Sequence, residues 1–108
     1  MGSALDRFGR FARPAQQVLG TLTNGPRVPA TIQAEIGARC GVDLGPGTLF
    51  GTIARLERHA LIEIVPAPAP PHAYRLTALG AETLETQLAS VTRHAPASAR
   101  AVDRSPAR

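Results

Sequence analysis

Apolar residues recur at helical spacing in several stretches of the chain and at strand spacing near its middle. Leu5, Phe8 and Phe11 come three residues apart, with Arg7 and Arg10 on other sides. That spacing suggests a short helix docking an apolar face on the domain or on a partner subunit, although Gly9 sits within it. Pro14 suits the first turn of a firmer helix, in which Val18, Leu19 and Leu22 share a side before Asn24-Gly25 ends it. A second short helix is predicted from near Pro29 to about Cys40-Gly41, with Ile32 and Ile36 four residues apart. After a turn through Asp43, Leu44 and Gly45, the clearest helix runs from Pro46 to His59. Its buried stripe is expected to hold Leu49, Ile53, Leu56 and Ala60. Thr48, Thr52, Arg55 and His59 fall on a different, exposed face, with Gly51 and Arg58 beside it.

Strand character follows at Leu61 to Val65 and at His72 to Leu76, where Glu63 alternates with Ile62 and Ile64. The connection Pro66-Ala67-Pro68-Ala69-Pro70-Pro71 is too stiff and too poor in donors for a tight turn, so it should project as a loop. Thr77 then caps a last helix reaching about Arg93. On that helix Leu84, Leu88 and Val91 form one stripe, Glu82, Glu85 and Arg93 lie opposite, and Leu79 is expected to turn back toward the domain. The order is three helices, strand, loop, strand, helix. That order predicts a mainly α chain with a small β-hairpin (α+β): a winged helix-turn-helix domain over 14–76 followed by a C-terminal helix over 77–94.

Charge changes the picture at the ends. The formal net charge is +4, and all twelve basic residues are arginine. Residues 1–13 hold Arg7, Arg10 and Arg13 against Asp6, and residues 95–108 hold Arg100, Arg104 and Arg108 against Asp103. Each end therefore carries +2, while the middle is nearly neutral. A basic N-terminal arm over 1–13 and a disordered basic tail over 95–108 are the corresponding expectations, the tail being Ala, Pro, Ser and Arg with one aliphatic residue, Val102. A guanidinium-rich balance fits phosphate and base recognition, and a GC-rich coding bias would equally remove lysine.

Several function classes find no support. No apolar run approaches the roughly 20 residues of a membrane helix, and charges interrupt the first 13 residues, so neither a span nor a secretory signal is expected. Cys40 is the single cysteine, which excludes an intramolecular disulfide and fits a reducing cytoplasm. Its expected role is that of a small buried hydrophobe rather than a redox switch. His59, His72 and His94 have no metal-ligand spacing, and no nucleophile or phosphate-loop motif suggests an enzyme. No cofactor is expected.

Three stretches together resemble the PadR-like family of winged helix-turn-helix transcriptional regulators. Leu19-Gly20-Thr21-Leu22 with Asn24-Gly25-Pro26-Arg27 is similar to that family's first-helix ending. Gly45-Pro46-Gly47-Thr48-Leu49-Phe50, Ile53-Ala54-Arg55-Leu56-Glu57 and Ala60-Leu61-Ile62 resemble its recognition helix and exit. Tyr74-Arg75-Leu76-Thr77 with Gly80 resembles the end of its wing and the start of its dimerisation helix. Phe50 stands where the family usually has Tyr, Val28-Pro29-Ala30 replaces a His-Gly-Tyr-like stretch, and the wing loop lacks the family's basic residues.

The resemblance implies a cytoplasmic, dimeric DNA-binding protein, most simply a repressor reading a pseudo-palindromic operator with the helix 46–59. On that reading Thr48, Thr52 and Arg55 face the major groove, where Arg suits guanine and Thr a thymine methyl or a phosphate. Pro46, Gly47 and Gly51 allow close backbone approach. Arg27 suits a phosphate, as do His72 and Arg75 on the wing. Arg58 either contacts phosphate or pairs with Glu57 or Glu63. Leu84, Leu88 and Val91 would lack a cover within one subunit and would drive homodimerisation. With Phe8, Phe11, Phe50 and Tyr74 as the whole aromatic complement, no aromatic effector is predicted. The alternative is a winged-helix protein-interaction module without operator recognition, favoured by the near-neutral middle and the arginine-free wing loop.

Overall fold

The protein is described by a computed structural model covering residues 4–93. A kinked 3-10 segment, Ala4–Phe11, leads directly into α1 (Ala12–Thr21), which closes through a 3-10 turn at Leu22–Asn24. Then come α2 (Pro29–Cys40), α3 (Pro46–Arg58), β1 (Ile62–Ile64), β2 (Tyr74–Leu76) and α4 (Ala78–Arg93). Pro29 and Pro46 each start a helix, where a missing N–H costs nothing. Gly41, at φ 68°, closes α2 in the left-handed conformation that a side chain resists.

The two strands pair antiparallel, with Glu63 opposite Arg75. A third backbone segment joins them. Arg27 and Tyr74 exchange both backbone hydrogen bonds, at 3.1 and 2.9 Å, so β2 lies between β1 and the α1–α2 turn. No period-two pattern surrounds Arg27, and the sequence offered no sign of this pairing.

Aliphatic side chains from every helix meet in one core: Val18 and Leu19 of α1, Ile32 and Ile36 of α2, Leu49, Ile53 and Leu56 of α3, and Leu84 of α4. Leu5 and Phe8 are buried in the same core. Of the two expectations for this segment, a basic arm or a short helix docked by its apolar face, residues 4–11 follow the second in docking on the domain, as a kinked 3-10 segment. Two apolar side chains recovered from water contribute about 1.5–3 kcal/mol each, which outweighs the poor helix propensity of Gly9. The glycine has its own use: at φ 58° it turns the chain between Phe8 and Phe11. The tail expected over 95–108 lies outside the described residues.

The junction between α3 and α4 is tightly built. Leu61 N–H reaches back to the Leu56 carbonyl at 2.9 Å, closing α3 in a Schellman arrangement with Ala60 at φ 62°. Ala60, expected in the buried stripe, is instead exposed, because this turn swings it out. The Thr77 hydroxyl donates to the Ala60 carbonyl at 2.6 Å and accepts from the Gly80 N–H at 3.0 Å, so it caps α4 and ties it to the end of α3. Gly80 packs so closely on this turn that a Cβ there would collide with the Leu61 carbonyl oxygen.

Candidate nucleic-acid interface

α3 is held from behind by the core and leaves its opposite side open. Gly47, Phe50, Ala54 and Arg58 are exposed along that side, and Thr48 borders it. At about 100° per residue these positions cluster opposite Leu49, Ile53 and Leu56. Phe50 is 55% exposed, unusual for a phenylalanine, and neither it nor Ala54 was among the residues expected here. Ala54 lies well away from the Leu49/Ile53 stripe and was legible from spacing, whereas Phe50 flanks that stripe, about 60° from Ile53, and its exposure was not.

Thr52 does not belong to the exposed face. It is completely buried, and its hydroxyl donates to the Thr48 carbonyl at 2.6 Å, one turn back. α1 and the N-terminal segment both pack against α3. Phe8 packs on His59 with ring centroids 5.0 Å apart, and Phe11 lies under the Arg55 guanidinium. The open face is consequently rotated away from Thr48/Thr52/Arg55 toward Gly47/Phe50/Ala54/Arg58. Arg55 stays at its border, half-buried, with Nη1 donating to the Gly51 carbonyl at 3.1 Å.

The remaining arginines divide by partner. Arg27 Nε bonds the Glu35 carboxylate at 3.1 Å, and Arg75 Nε bonds that of Glu63, directly across the hairpin, at 2.8 Å. Both are thus engaged within the domain. Arg58 pairs with neither Glu57 nor Glu63; Arg10, Arg55 and Arg58 form no ion pair among the described residues. His72 is half-buried in the connection before β2. Burial, helped by Glu57, raises the Tyr74 phenol above its ordinary value, so it is neutral at physiological pH.

The last helix departs from expectation in two ways. Leu84 is only 6% exposed, because α4 packs along α1 and brings that residue into the core of its own subunit. Leu79, expected to face the domain, is 48% exposed, since the Thr77–Gly80 junction docks α4 by its backbone rather than by that side chain. Leu88 remains open at 51%, and the side chain of Val91 lies outside those described. Leu84 and Leu88 line a groove of about 420 Å³ with Gln16, Gln17, Ile36 and Cys40. Cys40 is exposed there rather than buried: it falls in the last turn of α2, past the edge of the core. Among the described residues no His, Cys, Asp and Glu cluster could hold a metal ion, and no helix is long and apolar enough to cross a membrane.

Among solved structures, RosR of H. salinarum in its S1 complex superposes with a TM-score of 0.72 at 20% identity, covering 86% of this chain and 85% of that one. A PadR family transcription regulator from Clostridium difficile R20291 superposes at 0.65 with 19% identity, over 72% and 85% of the two chains. The fold is PadR-like. Bacillus subtilis PadR in complex with operator DNA shares this PadR-like fold at a TM-score of 0.63 and 19% identity, over 76% of this chain and 48% of that one. No family model matches the sequence. A 37.1 kDa protein of transposon TN4556 from Streptomyces fradiae is 37% identical over 76 residues, 70% of this chain. This chain spans 22% of that protein's length.

Proposed function

We propose that the chain is a sequence-specific DNA-binding transcriptional regulator, a dimeric cytoplasmic repressor that places α3 in the major groove of a pseudo-palindromic operator. The observation that carries this reading is the open face of α3. It carries only small residues at Gly47 and Ala54, is bordered by Arg55 and Arg58, which have no acidic partner among the described residues, and is backed by the core. A recognition helix needs that combination of close approach, cationic edges and rigid backing. PadR of Bacillus subtilis, similar in fold and solved in complex with operator DNA, supports the DNA-binding reading. On this face Arg58 would bond a guanine or a phosphate, while Phe50 and Ala54 would meet thymine methyl groups. Leu88 and the groove beside it would receive a second copy, spacing two α3 helices about one turn of DNA, roughly 34–36 Å, apart.

Enrichment of bound duplexes from a random-sequence pool tests the proposal. An inverted repeat should emerge, and its affinity should fall steeply with salt. Failure to retain any duplex at low salt would overturn the reading. The protein-interaction alternative gains one observation, the exposed Phe50 on α3 of a domain in which Arg27 and Arg75 are already paired with Glu35 and Glu63. It predicts that Phe50→Ala and Arg58→Ala leave DNA binding untouched.

A further inference from the structure

The N-terminal segment and α3 meet through one side-chain stack. The Arg55 guanidinium carbon lies 3.9 Å from the centroid of the Phe11 ring, and that of Arg10 lies 5.1 Å from the same centroid. Arg55 is also tethered by Nη1 to the Gly51 carbonyl, which engages one of its five donors and leaves the rest available. The stack lies directly against the α3 backbone: a Cβ at Gly51 would sit 3.4 Å from both Arg55 Nη1 and Phe11 Cε1, at the near edge of ordinary contact. Beside the stack, Arg10, Phe11, Gly47 and Thr48 line a hollow of about 350 Å³ at the start of α3.

A free arginine loses most of its rotamer freedom when it fixes on a ligand, and one already stacked loses less. The ring face also attracts the cation without neutralising it. We propose that Phe11 is a positioning residue: it presents the Arg55 guanidinium at the border of the α3 face in a set attitude toward duplex DNA. The N-terminal segment then shapes operator preference instead of merely adding positive charge. This inference rests on the DNA-binding reading above.

The test uses the duplex that the full chain enriches from the random pool. Phe11→Leu keeps an apolar side chain but removes the ring, and should weaken binding about three- to tenfold. It should flatten preference at the same base position as Arg55→Ala. Phe11→Tyr keeps the ring and should retain the wild-type affinity. The double variant Phe11→Leu/Arg55→Ala should bind no more weakly than Arg55→Ala alone. Independently of DNA, the Arg55 Nε–H resonance should be ring-shifted in the wild type and in Phe11→Tyr, and unshifted in Phe11→Leu. Phe11→Met serves the same purpose if the leucine variant melts early. Additive losses in the double variant, or an unshifted resonance in the wild type, would overturn the proposal. So would full affinity in Phe11→Leu when Arg55→Ala is impaired. A silent Arg55→Ala on the enriched duplex sinks the Arg55 contact, and this inference with it, while DNA binding stands. If the pool yields no enriched duplex, the DNA-binding reading itself fails.

Discussion

Two residues one helical turn apart, Thr52 and Arg55, show how neighbours reassign side chains that periodicity groups together. Both fall on one side of α3, yet Thr52 is fully buried within the domain and Arg55 is drawn onto Phe11. Thr52→Ala should therefore act on folding. It removes a buried methyl and a hydroxyl bonded to Thr48, costing about 1–2 kcal/mol in thermal or denaturant unfolding while leaving the preferred duplex unchanged. Arg58→Ala should do the opposite. The side chain is exposed and forms no ion pair among the described residues, so stability should shift by less than about 0.5 kcal/mol. Binding should weaken by roughly 1–3 kcal/mol per half-site if it reads a base, and equally on all duplexes if it holds phosphate. Unfolding curves and duplex titrations on the same two proteins separate these outcomes.

At the scale of elements, the α3–α4 junction bears the geometry of the domain. Ala60 occupies a left-handed position that L side chains resist, so Ala60→Gly should stabilise the protein by roughly 0.5–1 kcal/mol after the extra entropy of the unfolded glycine is counted. Gly80→Ala should have the reverse effect. Its methyl would strike the Leu61 carbonyl and push α4 off the end of α3, at a cost of roughly 1–3 kcal/mol. Removing the cap with Thr77→Ala should cost about 1 kcal/mol. Melting temperatures of the three variants check all of these. The sequence already showed Thr77 as a cap, because capping is local. The close approach at Gly80 depends on a chain segment about twenty residues upstream and was invisible to any local pattern.

For the whole molecule, Leu84 and Leu88 of α4 make opposite predictions although they belong to one stripe. Leu88 is open beside the α1–α4 groove, so Leu88→Glu should leave a folded chain and convert the proposed dimer to monomers in sedimentation. Leu84→Glu would place a carboxylate in the core and should lower the melting temperature sharply whatever the oligomeric state. A wild type that sediments as a monomer at micromolar concentration would exclude the dimer. The N-terminal segment behaves in the same divided way. Its arginines can add to the attraction for DNA, but deleting residues 1–11 removes Leu5 and Phe8 from the core and should unfold the domain, as circular dichroism would show.

Helix and strand order, the helix starts at Pro29 and Pro46, the stop at Gly41 and the cap at Thr77 could be read from the chain alone. Each depends on residues within a turn or two, where period, propensity and breakers act. The open face of α3 was legible only as an arc, because a stripe of Leu49, Ile53 and Leu56 marks what is buried but not how far burial extends on either side. Its true border required the packed molecule, in which Thr52 is buried and a segment some forty residues earlier captures Arg55. The same holds for Leu84 against Leu88, and for Arg27 and Arg75, whose charges are taken up by Glu35 and Glu63. Amphipathicity says that a side chain will be covered; what covers it is a long-range contact between surfaces, which no local pattern encodes.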